Sequence, residues 1–225
     1  MERELDIVSK IFGEKPVEPV VDGVIQFGPG KGLRKMVFQG LNNTGAMVKK
    51  IATIDILKAK IILIQPGEES LYASGIREDG ISGYIYLFAH ASPNSIQGMN
   101  NGGLIADVIR ASGIWNGEPI LIDACNAGAK ISASIASQLA FSLKTYVTAP
   151  TTMTWNYPFG GPAMGQGAFP ALPGVLAKIP IPDMSNPGHW RTWGPDGNLT
   201  GSAKTSPRDR GTQLPHGVAR ELLRK

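Results

Sequence analysis

The chain has 225 residues, 42% apolar and 18% charged, with a formal net charge of +4; this is enough chain for one sizeable core at an ordinary globular balance. Its single cysteine excludes an internal disulfide and any zinc site made of several thiolates. The basic excess gathers between Arg191 and Lys225 instead of forming an aromatic-interleaved stripe, and no apolar run reaches the roughly 18 residues of a membrane helix, so neither nucleic acid nor a membrane span is expected.

Residues 1–35 read as a lead-in segment. The start, Met1-Glu-Arg-Glu-Leu-Asp6, is charged and runs into no apolar stretch, so no cleavable signal peptide is expected. That leaves secretion by a route needing no such peptide, or a cytoplasmic location. Pro16, Pro19, Gly23 and the cluster Gly28-Pro-Gly-Lys-Gly32 interrupt the apolar positions and leave one short strand, Val24–Phe27. The glycine cluster lacks the spacing that lets backbone amides cradle a phosphate and reads as a loop. Asn42-Asn-Thr44 and Asn198-Leu-Thr200 fit the glycosylation pattern, which is short enough to arise by chance.

From Met36 to Pro150 strand and helix signals alternate. Ile61–Ile64, Gly83–Ala89 and Pro119–Asp123 read as buried strands, and Lys144–Pro150 as a fourth, ended by proline. Leu104, Ile105, Val108 and Ile109 share one face of a helix near 103–112. Ile131, Ile135, Leu139 and Leu143 repeat at helical spacing across 129–143. Strands alternating with helices predict an α/β fold with a mainly parallel sheet covered on both faces. From Thr151 glycine and proline crowd the chain among scattered aromatic residues, a composition suited to a loop region that wraps a core. Residues 201–225 read as a flexible basic tail with a short helix expected at Val218–Leu223. The domain proper is therefore expected over 36–200, with the wrapping region from 151.

The chemistry gathers at two strand ends. Gly83-Tyr-Ile-Tyr-Leu-Phe-Ala-His90 closes one apolar run with an imidazole, and Pro119-Ile-Leu-Ile-Asp-Ala-Cys125 closes the next with the only thiol. A reactive group at the end of a buried strand is held firmly yet opens into a crevice. A free thiol is mostly protonated at neutral pH, and a neighbouring imidazole can take its proton and hold the thiolate as an ion pair. The helix expected directly after Cys125 would add favourable amides for an anion. Against this stands a buried structural thiol packing as a small hydrophobe. His189 and His216 are rival bases, which would give the reverse order, cysteine before histidine. Asp123, two residues before the cysteine, is a candidate to orient an imidazole, to recognise a basic substrate group, or simply to satisfy backbone donors. Ser92 and Asn126 are candidate polar contacts at the site mouth. Thr151, Thr152 and Trp155 follow the fourth strand and are candidates for a substrate pocket.

The pair of motifs Tyr84–Ser92 and Asp123-Ala-Cys-Asn-Ala-Gly128 resembles the caspase–clostripain class of cysteine peptidases. In that class a strand ends in histidine, a helix crosses over, and the next strand ends in a small-residue motif carrying the cysteine. The resemblance covers about 80–150. Where the class more often has His-Gly, this chain has Ala89-His90-Ala91-Ser92, a departure at the glycine whose amide contributes to the oxyanion hole in the class. His-Ala-Ser-Pro, Asp-Ala-Cys-Asn-Ala-Gly, Val-Thr-Ala-Pro-Thr and Trp-x-x-x-Gly-Pro-Asp-Gly together also look like the C-terminal domains of bacterial polymorphic (Rhs-type) or type VI-secreted toxins.

These resemblances imply a three-layer α/β/α caspase-like domain with a mainly parallel sheet and a Gly/Pro-rich C-terminal extension. They imply a cysteine peptidase in which Cys125 attacks a carbonyl, His90 maintains the thiolate and protonates the leaving amine, and Ala91, Ser92, Asp123 or Asn126 supply oxyanion or orienting contacts. Such an enzyme requires no metal or organic cofactor. Its partners would be a protein or peptide substrate and a cognate immunity protein. The same dyad serves deamidases and amidases, and an inactive relative would serve as a binding module.

Overall fold

The computed structural model of the chain describes residues 16–21, 24–27, 32–41, 47–65, 67–157, 160–165, 188–204 and 206–207. Two hairpins come first, β1 (Pro16–Val21) with β2 (Val24–Phe27) and β3 (Leu33–Leu41) with β4 (Met47–Asp55). Then follow β5 (Lys60–Ile62), α1 (Glu69–Arg77), β6 (Ile85–Phe88) and two very short strands, β7 (Ala91–Ser92) and β8 (Ser95–Ile96). Next in order are α2 (Gly102–Ala111), β9 (Ile120–Asp123), α3 (Ile135–Leu143) and β10 (Val147–Pro150). A separate hairpin, β11 (Met153–Tyr157) with β12 (Gly160–Gly165), precedes β13 (Trp190–Trp193) and β14 (Leu199–Ala203).

The four strands expected from the apolar runs are present as β5, β6, β9 and β10, and the fold is α/β. They form the parallel centre of a ten-stranded sheet ordered β1-β2-β3-β4-β5-β6-β9-β10-β13-β14. The sheet is mixed, not mainly parallel: six of its nine neighbour pairings are antiparallel. A parallel step needs a crossover of about a dozen residues or more, and α1, α2 and α3 lie in the links that make the three parallel steps, β5 to β6, β6 to β9 and β9 to β10. The strands β1 to β5 follow one another through short links and pair antiparallel, as do β13 and β14, whereas β13 pairs antiparallel with β10 across the long link 151–189.

Alternation along the central strands gives the sheet two buried faces. Ile61, Ile85, Leu87, Ile120, Ile122, Val147 and Ala149 face α2 (Ile105, Val108, Ile109) and α3 (Ile135, Leu139, Leu143). Ile62, Tyr86, Phe88, Leu121 and Trp190 turn to the opposite face, where Leu71, Tyr72 and Ile76 of α1 cover them. Asn101 caps α2, its Oδ1 accepting from the amides of Gly103 at 2.8 Å and Leu104 at 3.4 Å.

Two expectations change. The helix expected over 129–143 begins at Ile135, where the Ser134 hydroxyl accepts from the Ser137 amide at 3.0 Å; residues 124–134 are turns. Asn126 (φ 59°) and Ala133 (φ 54°) take left-handed backbone, which ends any helix, and Ile131 is exposed instead of joining the buried stripe. The basic tail does not start at 201, because β14 runs to Ala203 and Ser206 is buried. The short helix expected at Val218–Leu223 lies outside the described residues. The strand expected at Val24–Phe27 is β2, and it joins the main sheet beside β3. No helix among the described residues is long and apolar enough to cross a membrane.

Candidate active site

The parallel register between β6 and β9 brings the two motifs level. Phe88 is opposite Asp123, and the Ala89 amide donates to the Asp123 carbonyl at 3.3 Å. His90 and Cys125 therefore stand two residues past a matched pair, at the carboxyl ends of neighbouring strands about 4.8 Å apart. Phe88 and the Asp123 side chain lie on the α1 face, and His90 reaches the same side through its contact with Glu68. The Cys125 thiol is half-buried, with Sγ 3.8 Å from the Thr154 carbonyl oxygen and 3.9 Å from its hydroxyl. Among the described residues no hydrogen bond joins the imidazole to the thiol.

The turn that carries Cys125 is tied down by its own backbone. The amides of Asn126, Ala127, Gly128 and Ala129 donate to the carbonyls of Thr152 (2.9 Å), Ala124 (3.4 Å), Pro150 (2.8 Å) and Asn126 (3.0 Å). Two expectations fall with this. The Asn126 amide already has an acceptor and is not an open oxyanion donor, and the helix that was to follow the thiol starts ten positions later, so its N-terminus does not act on Cys125. Arg191 holds the same turn from β13, its Nη1 donating to the carbonyls of Gly128 (3.1 Å) and Ala129 (2.7 Å).

His90 is exposed, as a turn after a strand end should be. Its backbone carbonyl accepts from the Gln97 amide at 2.8 Å across the small β7–β8 hairpin. Its Nε2 lies 2.8 Å from Oε1 of Glu68, the residue just before α1. Glu68 was missed in the sequence because it lies 22 positions from His90, beside a helix with few apolar residues. The sequence signal was Pro66-Gly-Glu-Glu69, a turn followed by acidic residues, the pattern that opens a helix.

Asp123 does not orient the imidazole. It is buried and accepts a hydrogen bond from the Tyr86 hydroxyl one strand away. Ser92 lies in β7 with its hydroxyl 2.8 Å from that of Ser95, and Ala91 opens the same hairpin beside Ile96. Thr151 and Thr152 do flank the Cys125 turn. The Thr152 carbonyl takes the Asn126 amide, while Thr151 exchanges two bonds with His189, each 2.8 Å. His189 is therefore held at the same end of the sheet. Trp155 lies in β11, its backbone paired with Ala163, and its side chain is outside the described residues. Thr154, whose carbonyl and hydroxyl lie against the thiol, is a neighbour that sequence reasoning did not name. His216 also lies outside the described residues.

Among the described residues no three His, Cys, Asp or Glu side chains are grouped as metal ligands. A cavity of about 470 Å³ lies at the amino ends of β6 and β9, lined by Lys58, Ile81, Tyr84, Ile85, Ile114 and Glu118 among others, and neither His90 nor Cys125 borders it.

Residues 59–166 match the model of a family described as a domain of unknown function (DUF8616). The match takes in β5 through the β11–β12 hairpin, and so contains Glu68, His90, Cys125 and Thr154. No curated protein and no solved structure matches the chain.

Proposed function

We propose that the chain is a cysteine-nucleophile hydrolase of caspase-like architecture, a peptidase acting as a secreted bacterial toxin or effector. The observation that carries this reading is the level placement of His90 and Cys125 just past adjacent parallel strands. In a sheet of this kind the carboxyl ends of the strands form the crevice where ligands bind. Cys125 attacks the substrate carbonyl as thiolate, and His90 returns a proton to the leaving amine. The Cys125 and Ala91 amides are the oxyanion donors of this reading, since the amides from 126 to 129 are committed to the turn. The β11–β12 hairpin, with Thr154 against the thiol, forms one wall of the site.

The test is hydrolysis of a diverse peptide mixture by the wild type and by Cys125→Ser. New termini that appear only with the wild type support a peptidase. Deamidated glutamine or asparagine side chains, without backbone cleavage, would keep the nucleophile and replace peptidase by amidase chemistry. No covalent or hydrolytic change on any acyl substrate would favour a binding module. A second base is favoured by one specific observation: the Thr151 amide donates to the His189 carbonyl and the His189 amide to the Thr151 hydroxyl, which holds that histidine at the same sheet end. A papain-like enzyme using His189 keeps activity in His90→Ala and loses it in His189→Ala.

A further inference from the structure

Resting on the reading of His90 and Cys125 as a catalytic pair, we infer that Glu68 is the positioning residue of the site: it holds the Nε2–H of His90, so that Nδ1 is the nitrogen that takes the thiol proton.

The imidazole has two nitrogens, and the hydrogen bond made by one decides the proton state of the other. Nε2 faces the Glu68 carboxylate at 2.8 Å, a contact only a protonated nitrogen makes well. An exposed ion pair by itself contributes little, and what distinguishes this one is how the carboxylate is fixed. Its second oxygen, Oε2, accepts from the Gln65 amide at 3.2 Å, and the Glu68 amide returns to the Gln65 carbonyl at 3.3 Å. Gln65 is itself locked to the sheet. Its side chain accepts from the Ile51 amide at 3.0 Å and donates to the carbonyls of Ile51 at 3.1 Å and Leu63 at 2.8 Å. The carboxylate is thus anchored through β4 and the end of β5, while His90 is anchored through β6 and the Gln97 amide. Neither partner depends on the other for its place, which is what preorganised support of a reacting group requires.

In the step that follows, the Cys125 S–H bond breaks and an Nδ1–H bond forms, giving thiolate and imidazolium. The Nε2–H stays on the Glu68 carboxylate, which stabilises the new positive charge without taking a proton.

Two measurements test this on the full chain. The first is the ¹⁵N spectrum of the imidazoles, with His90 assigned by its loss in His90→Ala. Protonated Nε2 and bare Nδ1 in the neutral ring are expected, and the reverse tautomer in the wild type would overturn the assignment. The second is the rate of Cys125 alkylation against pH in Glu68→Gln, Glu68→Ala and Glu68→Asp. A roughly tenfold loss near pH 6.5 is expected in Gln and Ala, with partial recovery in Asp. An unchanged profile in Glu68→Gln and Glu68→Ala, with His90→Ala still impaired, would overturn the role of Glu68 and leave the pair standing. No change in any of the three, His90→Ala included, would overturn the pair and this inference together.

Discussion

At the scale of single residues, the turn after β9 leaves no room for change at Gly128. A Cβ there would sit 2.7 Å from the Ala149 carbonyl oxygen and 2.9 Å from the Trp193 ring, both fixed atoms. Gly128→Ala should therefore lose about 1–3 kcal/mol, as overpacking does, and should also displace the thiol three residues away. Chemical denaturation reads the first effect and Cys125 alkylation the second. Tyr86→Phe is expected to behave differently. It removes a donor from the buried Asp123 carboxylate and should cost about 1–3 kcal/mol, while leaving the alkylation profile of the folded protein in place. A loss of thiol reactivity in folded Tyr86→Phe would return Asp123 to the site.

The difference between these two neighbours shows what the sequence could reveal about the site. His90 and Cys125 were legible because each ends an apolar run, and strand ends are visible in a one-dimensional pattern. Asp123 stood next to the thiol in sequence and was weighed for a role that its burial against Tyr86 denies it. Glu68 and Thr154 were illegible because their contacts with His90 and Cys125 arise only when α1 and β11 fold back across the sheet.

At the scale of elements, α1 is fastened by a buried lysine. Lys60 is fully buried at the start of β5, and its Nζ donates to the carbonyls of Gly75 (2.6 Å), Ile76 (3.0 Å) and Glu78 (2.5 Å) at the end of α1. These are the carbonyls a helix leaves unpaired at its C-terminus. Lys60→Met should cost about 1–3 kcal/mol by leaving them without that donor, and a thermal melt checks it. Burial, with the Lys58 charge adding to it, pushes the Lys60 ammonium down from 10.5 to about 8. Between those two pH values the unfolded chain holds a proton that the folded chain has released, so this group makes stability rise with pH across that window. Below about pH 8 both states are protonated and the cost of burying the charge is fully present. The rise should be absent in Lys60→Met, and an identical pH dependence in both proteins would contradict it.

Elements were readable where burial imposes a period and hidden where turn geometry decides. The buried faces of β6, β9 and α2 repeat in the sequence as they do in space. The start of α3 did not, because Ile131 mimics a helical position while Ala133 and Asn126 take left-handed backbone. The helix α1 went unread because its apolar residues, Leu71, Tyr72 and Ile76, cover only a narrow patch.

At the scale of the whole molecule, the parallel centre is flanked by antiparallel strands on both sides, and the C-terminal side is part of the core. Composition after Thr151 suggested a wrapping loop, yet β13 pairs with β10 along four residues and buries Trp190 and Trp193 on opposite faces. Glycine and proline hid these strands because they are short and their partners lie far back in the chain. Trp193 is fully buried, and its Nε1 donates to the Ile131 carbonyl at 2.8 Å, fastening the turn that follows the thiol. Trp193→Ala should therefore cost about 3–5 kcal/mol, and retained stability in that variant would show that the C-terminal strands are an appendage.

The central claim is that His90 activates Cys125, and the most direct measurement is the rate of Cys125 alkylation against pH in the wild type and in His90→Ala. The single cysteine makes the signal specific. The account predicts fast alkylation that persists well below the pH at which an ordinary thiol is protonated, about 8.5, and that collapses in His90→Ala. A rate that rises only near that ordinary value in both proteins would contradict it.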